Sequence, residues 1–342
     1  MNAFALMIAR GQLADALLDD GQLVCLLNDE PLCRLQLQTV DMHHLRLLGT
    51  IPALPGLSPD CLLPALAQLF CRQGALQTVS LQLAVDADFA RQAVRSGVAS
   101  QWLADGSLLC SRAAFWQHSR LWLTQPSSAG MPLEYVMSGE KRHPRRPPQP
   151  EGVVYRRYLP QLDSVFSLRV ATLAQDLDHF HGWMNQDRVH RFWELAGDRD
   201  SHAAYLAAQI DNPKVVPLIG QFDDEPFAYL ESYWAREDRI APFYDAQDYD
   251  RGCHVLVGSS RHRGPAKVSA WLRATCHYLF LDEPRTQRVV GEPRVDNTHF
   301  IAYLQQQGFA KLKEFDFPHK RAAMMVLERE AFFGQYGPWG QP

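Results

Sequence analysis

The chain has 342 residues, a formal net charge of −4, 46% hydrophobic and 21% charged residues. Those values describe a globular chain long enough for two cores, and they exclude a dedicated nucleic-acid binder, which needs a basic footprint. The opening MNAFALMIARGQLADALLDDG has no basic segment followed by a clean apolar core, and no stretch is apolar for long enough to span a bilayer. Seven cysteines (Cys25, Cys33, Cys61, Cys71, Cys110, Cys253, Cys276) are odd in number, scattered and without a CxxC pair. That pattern argues against a disulfide framework and a cysteine zinc site, and the expected location is the cytoplasm.

Residues 1–138 read as a smaller mixed α/β domain. Residues 31–40 and 78–85 alternate, with Val79, Leu81, Leu83 and Val85 on one face of a strand. Ser58-Pro59-Asp60 before CLLPALAQLFCRQG predicts a capped helix with Pro64 inside it. No cluster here suggests chemistry. Residues 139–152, GEKRHPRRPPQPEG, read as a stiff exposed linker whose basic run, Lys141-Arg142-His143 with Arg145-Arg146, is solvated. A second domain is expected over 153–332, then a tail at 333–342. Its elements are a strand at 166–171, helices at 172–195 and 201–210, and a hairpin of 215–222 with 226–234. A strand at 253–258, a helix at 266–281, a strand at 287–292, a helix at 297–307 and a strand pair within 310–329 follow. Strands interleaved with helices and closed by a hairpin give an α/β (α+β) class with a mixed central sheet.

One arrangement in this second domain points at chemistry. The strand Cys253-His254-Val255-Leu256-Val257-Gly258 runs into Arg261-His262-Arg263-Gly264-Pro265-Ala266, and a helix starts there. A Gly turn opening a helix after a strand offers backbone N–H groups and a positive dipole end to an anion. Two arginines in the turn fit a phosphate ligand. Pro265 removes one N–H, at little cost at a first helical position. Histidines 179, 181 and 190 do not share a helix face and have no Glu or Cys partner pattern, so no metal is expected.

The same turn resembles the phosphate turn of the GNAT acyltransferases, Arg/Gln-x-x-Gly-x-Gly/Ala, and Asn297 to Gly308-Phe309 resembles that family's closing helix. A narrower resemblance runs through Asp187–Glu194, Tyr244-Asp245-Ala246, Tyr249–His254, Tyr278–Asp282 and Phe315–Arg321. These segments are similar to the siderophore-biosynthesis acyltransferases, which move an acyl group from CoA to the hydroxylamine nitrogen of an N-hydroxylated diamine or amino acid. The resemblance implies an acyl-CoA co-substrate, a GNAT fold over the second domain, an N-hydroxylated amine as acceptor, and association with a siderophore synthetase. It also exposes a departure. Many GNAT enzymes carry a Tyr general acid seven residues after the helix-opening Asn, and here that position is Leu304, with Tyr303 one residue off.

The expected roles follow from what acyl transfer needs. Arg261, Arg263, Gly264 and Ala266 are candidates for the CoA pyrophosphate, and Val255, Val257 and Gly258 for the pantetheine amides. Asn297 either touches the cofactor arm or only caps its helix. His254 is the candidate general base, because a free imidazole titrates near neutral pH and the family places a His on this strand. Asp296 either orients His254 or caps the helix. Glu231, Trp234 and Asp238 are candidate acceptor contacts or, for the two acids, plain surface charges. His190 and Trp193 are expected to line the same channel, Trp193 equally reading as core. Cys253 should point opposite His254, which favours direct transfer over a covalent intermediate. Two other readings stay open: a GNAT enzyme acting on an ordinary amine, and a non-catalytic CoA-binding assembly module.

Overall fold

The computed structural model describes residues 6–7 and 12–336. The chain divides into two compact units, residues 1–122 with 339–342, and residues 123–338. The division falls after Trp122, ahead of the expected boundary at 138.

Unit one is built on eight strands: β1 Leu6–Met7, β2 Leu13–Asp19, β3 Gln22–Leu27, β4 Glu30–Asp41, β5 His44–Thr50, β6 Thr78–Ala84, β7 Gln101–Trp102 and β8 Leu108–Ser111. Helix α1 (Leu63–Phe70) joins β5 to β6, α2 (Ala87–Arg95) leads toward β7, and α3 (Arg112–Trp116) follows β8. The alternation seen at 78–85 holds, with Val79, Leu81 and Leu83 buried. Pro64 is not internal to a helix. A 3-10 turn at Pro59–Leu62 comes first, so Pro64 lies in the first turn of α1, where no intrahelical hydrogen bond is lost. The strand order is β1-β2-β3-β4-β5-β6-β8-β7, and its parallel pair, β5 with β6, is matched over all seven residues from His44↔Thr78 to Thr50↔Ala84.

Unit two begins with a hairpin, β9 (Tyr135–Ser138) and β10 (Lys141–Pro144), inside the stretch expected to be a linker. Three of its basic residues are engaged rather than solvated, because buried Glu237 draws in Arg146 and His143 and Lys141 bonds the Glu237 carbonyl, while Arg142 and Arg145 stay exposed. The main sheet contains β11 Val153–Leu159, β12 Ser164–Val170, β13 Val215–Phe222, β14 Glu225–Trp234, β15 Arg251–Val257, β16 Arg288–Gly291, β17 Ala310–Asp316 and β18 Arg321–Glu328. Between β12 and β13 lie α4 (Leu173–Met184), α5 (Asp187–Trp193) and α6 (Arg199–Ile210). The single helix expected at 172–195 is therefore broken, at Asn185-Gln186, where the Asn185 side chain bonds Gly197 and the Gln186 side chain bonds the Gly258 carbonyl. Helix α7 (Pro265–Asp282) links β15 to β16, and α8 (Thr298–Gln306) links β16 to β17. The hairpin turn is Asp223-Asp224, both left-handed (φ 49° and 65°), which suits a two-residue connection between twisted strands. The expected tail starts as a π-helical turn, Phe332–Tyr336, with Phe333 buried; residues 337–342 lie outside the described residues.

The strand order, β11-β12-β13-β14-β15-β16-β18-β17, matches that of unit one position for position. All pairs are antiparallel except β15 with β16, and that pair is matched only at Arg251↔Val289 and Gly252↔Val290. Beyond those two pairs the strands part. Phe180, Trp183, Met184, Val189 and Leu206 pack α4, α5 and α6 onto Ile219, Tyr229 and Leu256 of the sheet. Trp183 lies so close to Gly258 that a Cβ there would sit 2.1 Å from the indole, so only glycine lets β15 end where it does.

Candidate active site

Where β15 and β16 separate, the sheet opens into a cavity of about 530 Å³. Trp271, Leu272, Thr275 and Cys276 of α7 line one part, with Phe300 and Leu304 of α8. Trp193, Tyr205, Glu231, Asp238, Arg239 and Lys320 line the other. His254, Val255 and Glu292 line it as well.

His254 is held from both sides. Its Nδ1 donates to Glu231 Oε2 at 3.0 Å and its Nε2 to Glu292 Oε1 at 2.8 Å. Residues 231 and 254 are register partners on β14 and β15, and Glu292 directly follows β16 across the opening. Burial alone would lower the imidazole, but the two carboxylates override it and push His254 up to about 10. The ring is a cation at neutral pH. Burial opposes ionisation of both acids as well, yet each is held below its usual range. For Glu231 the cause is His254 with the Tyr205 and Tyr229 hydroxyls, which donate at 2.7 and 3.1 Å. For Glu292 it is His254 with Lys320 and the Tyr233 hydroxyl, which donates at 2.8 Å. The result is a carboxylate–imidazolium–carboxylate unit of net charge −1, with both ring nitrogens committed.

That arrangement corrects the expectation of a free, neutral imidazole. It also displaces Asp296, which pairs with Arg294 at 3.1 and 3.2 Å at the surface. Glu292 takes the place proposed for it. The signal was present, a glutamate ending an apolar strand just before a proline, but only the strand order brings it across from His254. Glu231 is no surface charge: it is 5% exposed. Asp238 is half-buried in the cavity wall, where burial and then the charge of Glu292 push its carboxyl up. Trp193 faces the cavity, its ring 6.4 Å from that of His254. His190 is exposed, accepts from the Ala196 N–H and does not line the cavity. Trp234 is buried between the guanidiniums of Arg146 and Arg251, 4.2 and 4.1 Å from its ring, so it belongs to the core. Cys253 does line the cavity, but burial pushes its thiol far up and its Sγ donates to the His254 carbonyl.

The backbone of β15 can be assigned edge by edge. Gly258 N–H donates to Phe227 O at 2.7 Å, toward β14. Antiparallel alternation then turns the N–H and C=O groups of Val257 and Val255 toward the opening. The Val257 and Gly258 carbonyls are both taken by Arg188, and Gly258 O also by Gln186. Of the three expected pantetheine contacts, Val255 keeps both groups toward the cavity, Val257 keeps its N–H, and Gly258 has neither to offer.

Beyond them lies the basic turn. Gly264 has φ +112°, a conformation glycine adopts without strain, and a Cβ there would meet nothing within 4 Å. Arg263, Gly264 and Ala266 are exposed at the start of α7, an 18-residue helix whose first-turn N–H groups have no partner within the helix. Arg261 is also exposed and pairs with Glu225. An open anion seat at the end of a parted strand pair fits the pyrophosphate and arm of CoA. Asn297 caps its helix, its Oδ1 accepting from Phe300 N at 3.4 Å, and the residue also lines the cavity. Leu304 lines the cavity and Tyr303 does not, in keeping with the one-residue offset.

Residues 172–317 match the acetyltransferase (GNAT) domain. The N(6)-hydroxylysine O-acetyltransferase of Escherichia coli is 46% identical over 228 residues, covering 66% of this chain and 72% of that one. The chain belongs to this GNAT acyltransferase family. The N(5)-hydroxyornithine:cis-anhydromevalonyl coenzyme A-N(5)-transacylase of Beauveria bassiana is 44% identical over 212 residues, 60% of this chain and 46% of that one. A solved structure of an uncharacterised protein from Bacillus halodurans superposes with a TM-score of 0.53 at 26% identity, over 56% of this chain and 97% of the other. The GNAT acyltransferase is thus an enzyme with acyl-CoA as co-substrate. Among its described residues no helix is long and apolar enough to cross a membrane, and no group of three or more His, Cys, Asp or Glu side chains could hold a metal ion.

Proposed function

We propose that the protein transfers an acyl group from acyl-CoA to the nitrogen of an N-hydroxylated amino acid or diamine, forming a hydroxamate for siderophore assembly. The observation that carries this reading is the Glu231–His254–Glu292 unit in the wall of the cavity, in a chain 46% identical over 228 residues to a hydroxylysine acetyltransferase. Cytoplasmic work fits an acyl-CoA supply, and a synthetase that condenses hydroxamates would be the partner.

Arg263, Gly264 and Ala266 seat the pyrophosphate, with Arg261 assisting from the rim. Val255 holds the pantetheine and turns its N–H toward the thioester carbonyl, where the oxyanion develops. The hydroxylamine nitrogen is neutral at pH 7 and attacks the carbonyl carbon. The C–N bond forms, and the nitrogen becomes acidic as it takes positive charge. A strong base is therefore unnecessary. Glu292 accepts the proton and the hydrogen-bonded unit shares it through His254, going from −1 to neutral. The C–S bond then breaks, and the proton passes to the departing thiolate, giving CoA thiol and hydroxamate. Leu304 offers no acid of its own, and Cys253, a buried neutral thiol, stays out of the reaction. Asp238 and Arg239 lie side by side on the acceptor wall and suit the ammonium and carboxylate of an amino-acid acceptor.

The test is a thiol-release assay with acetyl-, succinyl- and longer acyl-CoAs against hydroxylated lysine, ornithine, putrescine and cadaverine, each beside its unhydroxylated parent. Turnover confined to the hydroxylated set supports the reading. Preference for the parents would move the enzyme to ordinary amines, and CoA binding without turnover would make it an assembly module.

A further inference from the structure

The basic stretch between Glu134 and Arg146 is not used by the chemistry above, yet three of its side chains converge on one turn. Lys141 Nζ donates to the carbonyls of Glu237 and Asp238, 2.7 Å each. Arg146 makes a two-point pair with Glu237, Nε to Oε1 and Nη2 to Oε2, both 2.6 Å. His143 Nδ1 lies 2.9 Å from Glu237 Oε1. Glu237 is 4% exposed, so its charge is compensated inside the protein rather than by water.

The turn they grip is the one that carries Asp238 and Arg239 into the acceptor half of the cavity. Arg239 in addition lies 3.6 Å from Glu292, so the turn also borders the proton-handling unit. The turn's own hydrogen bonds are local: Glu237 N–H to Trp234 O, Asp238 N–H to Ala235 O, Ala241 N–H to Asp238 O, and Ile240 N–H to Asp238 Oδ1. None of them ties the turn to a second element. Beside the Arg239–Glu292 pair the hairpin provides that tie, and it is itself braced by Arg145 on Glu134 and by Tyr135 on Asp248.

We propose that Lys141, His143 and Arg146 form a positioning clamp that holds the Glu237–Arg239 turn against the acceptor, and so set acceptor affinity without touching acyl-CoA. The inference rests on the function proposed above, and it assigns a purpose to the segment that composition alone presents as a linker. None of the three residues touches the substrate. They act through the two that face it.

The experiment is steady-state kinetics of the full chain, with acyl-CoA and N6-hydroxylysine or hydroxycadaverine each varied in turn. Lys141→Met removes both carbonyl bonds and leaves no buried charge behind. It should raise the acceptor KM about ten-fold while the acyl-CoA KM stays within about two-fold, and Lys141→Arg should recover most of the loss. Arg146→Met strands Glu237 and risks misfolding, so it is paired with Glu237→Gln; the double variant, checked for folding by circular dichroism, should show the same split. An unchanged acceptor KM in folded Lys141→Met, or a parallel rise in both KM values, would overturn the clamp while leaving the acyltransferase reading intact. No turnover of any amine by the unmutated chain would instead remove the function and the clamp with it.

Discussion

The two units of this chain share one strand order and one parallel strand pair, and the cavity described above lies at the parallel pair of unit two. In unit one the parallel strands β5 and β6 stay matched along seven residues. In unit two β15 and β16 are matched at two positions and then part. The helix starts differ too. Unit one places Asp60, a buried carboxylate paired with Arg120, at the start of its connecting helix segment. Unit two leaves Gly264 exposed there, with nothing within reach of a Cβ. A zipped pair keeps its facing edges paired and a buried carboxylate disfavours a second anion, whereas a parted pair followed by a bare helix start leaves free strand edges and a positive dipole end. The lesson is that topology does not make a site. A strand pair that parts after two matched positions and an exposed helix start do.

The comparison can be broken or sharpened in several ways. The largest effect is expected from Glu292→Gln, which keeps the shape of the parted strands and removes the proton acceptor: kcat should fall by about 10²–10³ with acyl-CoA binding intact. Full activity in that variant, or in His254→Ala, would end the mechanism. Next comes Ala266→Asp, which puts a carboxylate where unit one carries its own. Isothermal titration with CoA should find affinity down about ten- to a hundred-fold, and unchanged affinity would remove the anion seat. The unmutated chain should take a single CoA per chain in the same titration, and a second equivalent would mean that the zipped unit also binds.

A smaller, graded effect concerns pH. His254 titrates near 10 in the folded chain against an ordinary 6.5. Its contribution to stability is therefore whole below pH 6.5, and is lost as the pH rises through 10. Glu231 and Glu292 are held below their ordinary 4.5, so their contribution is present above that value and lost as the pH falls. Thermal midpoints followed from pH 6 to about 10 should decline more steeply for the native chain than for His254→Gln; parallel curves would mean the imidazolium is not held as described. The smallest effect is expected at Arg261, exposed and already paired with Glu225. Arg261→Ala should raise the acyl-CoA KM only about two- to three-fold, as for a solvent-screened contact.

Much of the architecture was legible because it depends on local signals. The Gly turn, the helix starts and the period-two strands are encoded within a few residues, so the order of elements from 164 onward reads directly from the chain. Unit one was harder. Of its eight strands two were visible, since strands such as Gln22–Leu27 carry continuous apolar runs and others are very short. The expected linker failed for a different reason. Its prolines and arginines look solvated until Glu237, more than ninety residues on, supplies the buried partner.

The site divides along the same line. Sequence alone supplied a candidate anion seat at the start of α7 with His254 just upstream, because both are a matter of spacing along one or two elements, and the resemblance to the GNAT family marked Leu304 as the position where a tyrosine acid is expected. Tertiary structure decided what His254 is. Its charge comes from Glu231 on one neighbouring strand and Glu292 on the other, brought within 3.0 and 2.8 Å by pairing that no local pattern records. A pKa depends on what surrounds a group in space, and contacts across a sheet between residues 23 and 38 positions apart are written only in the folded chain.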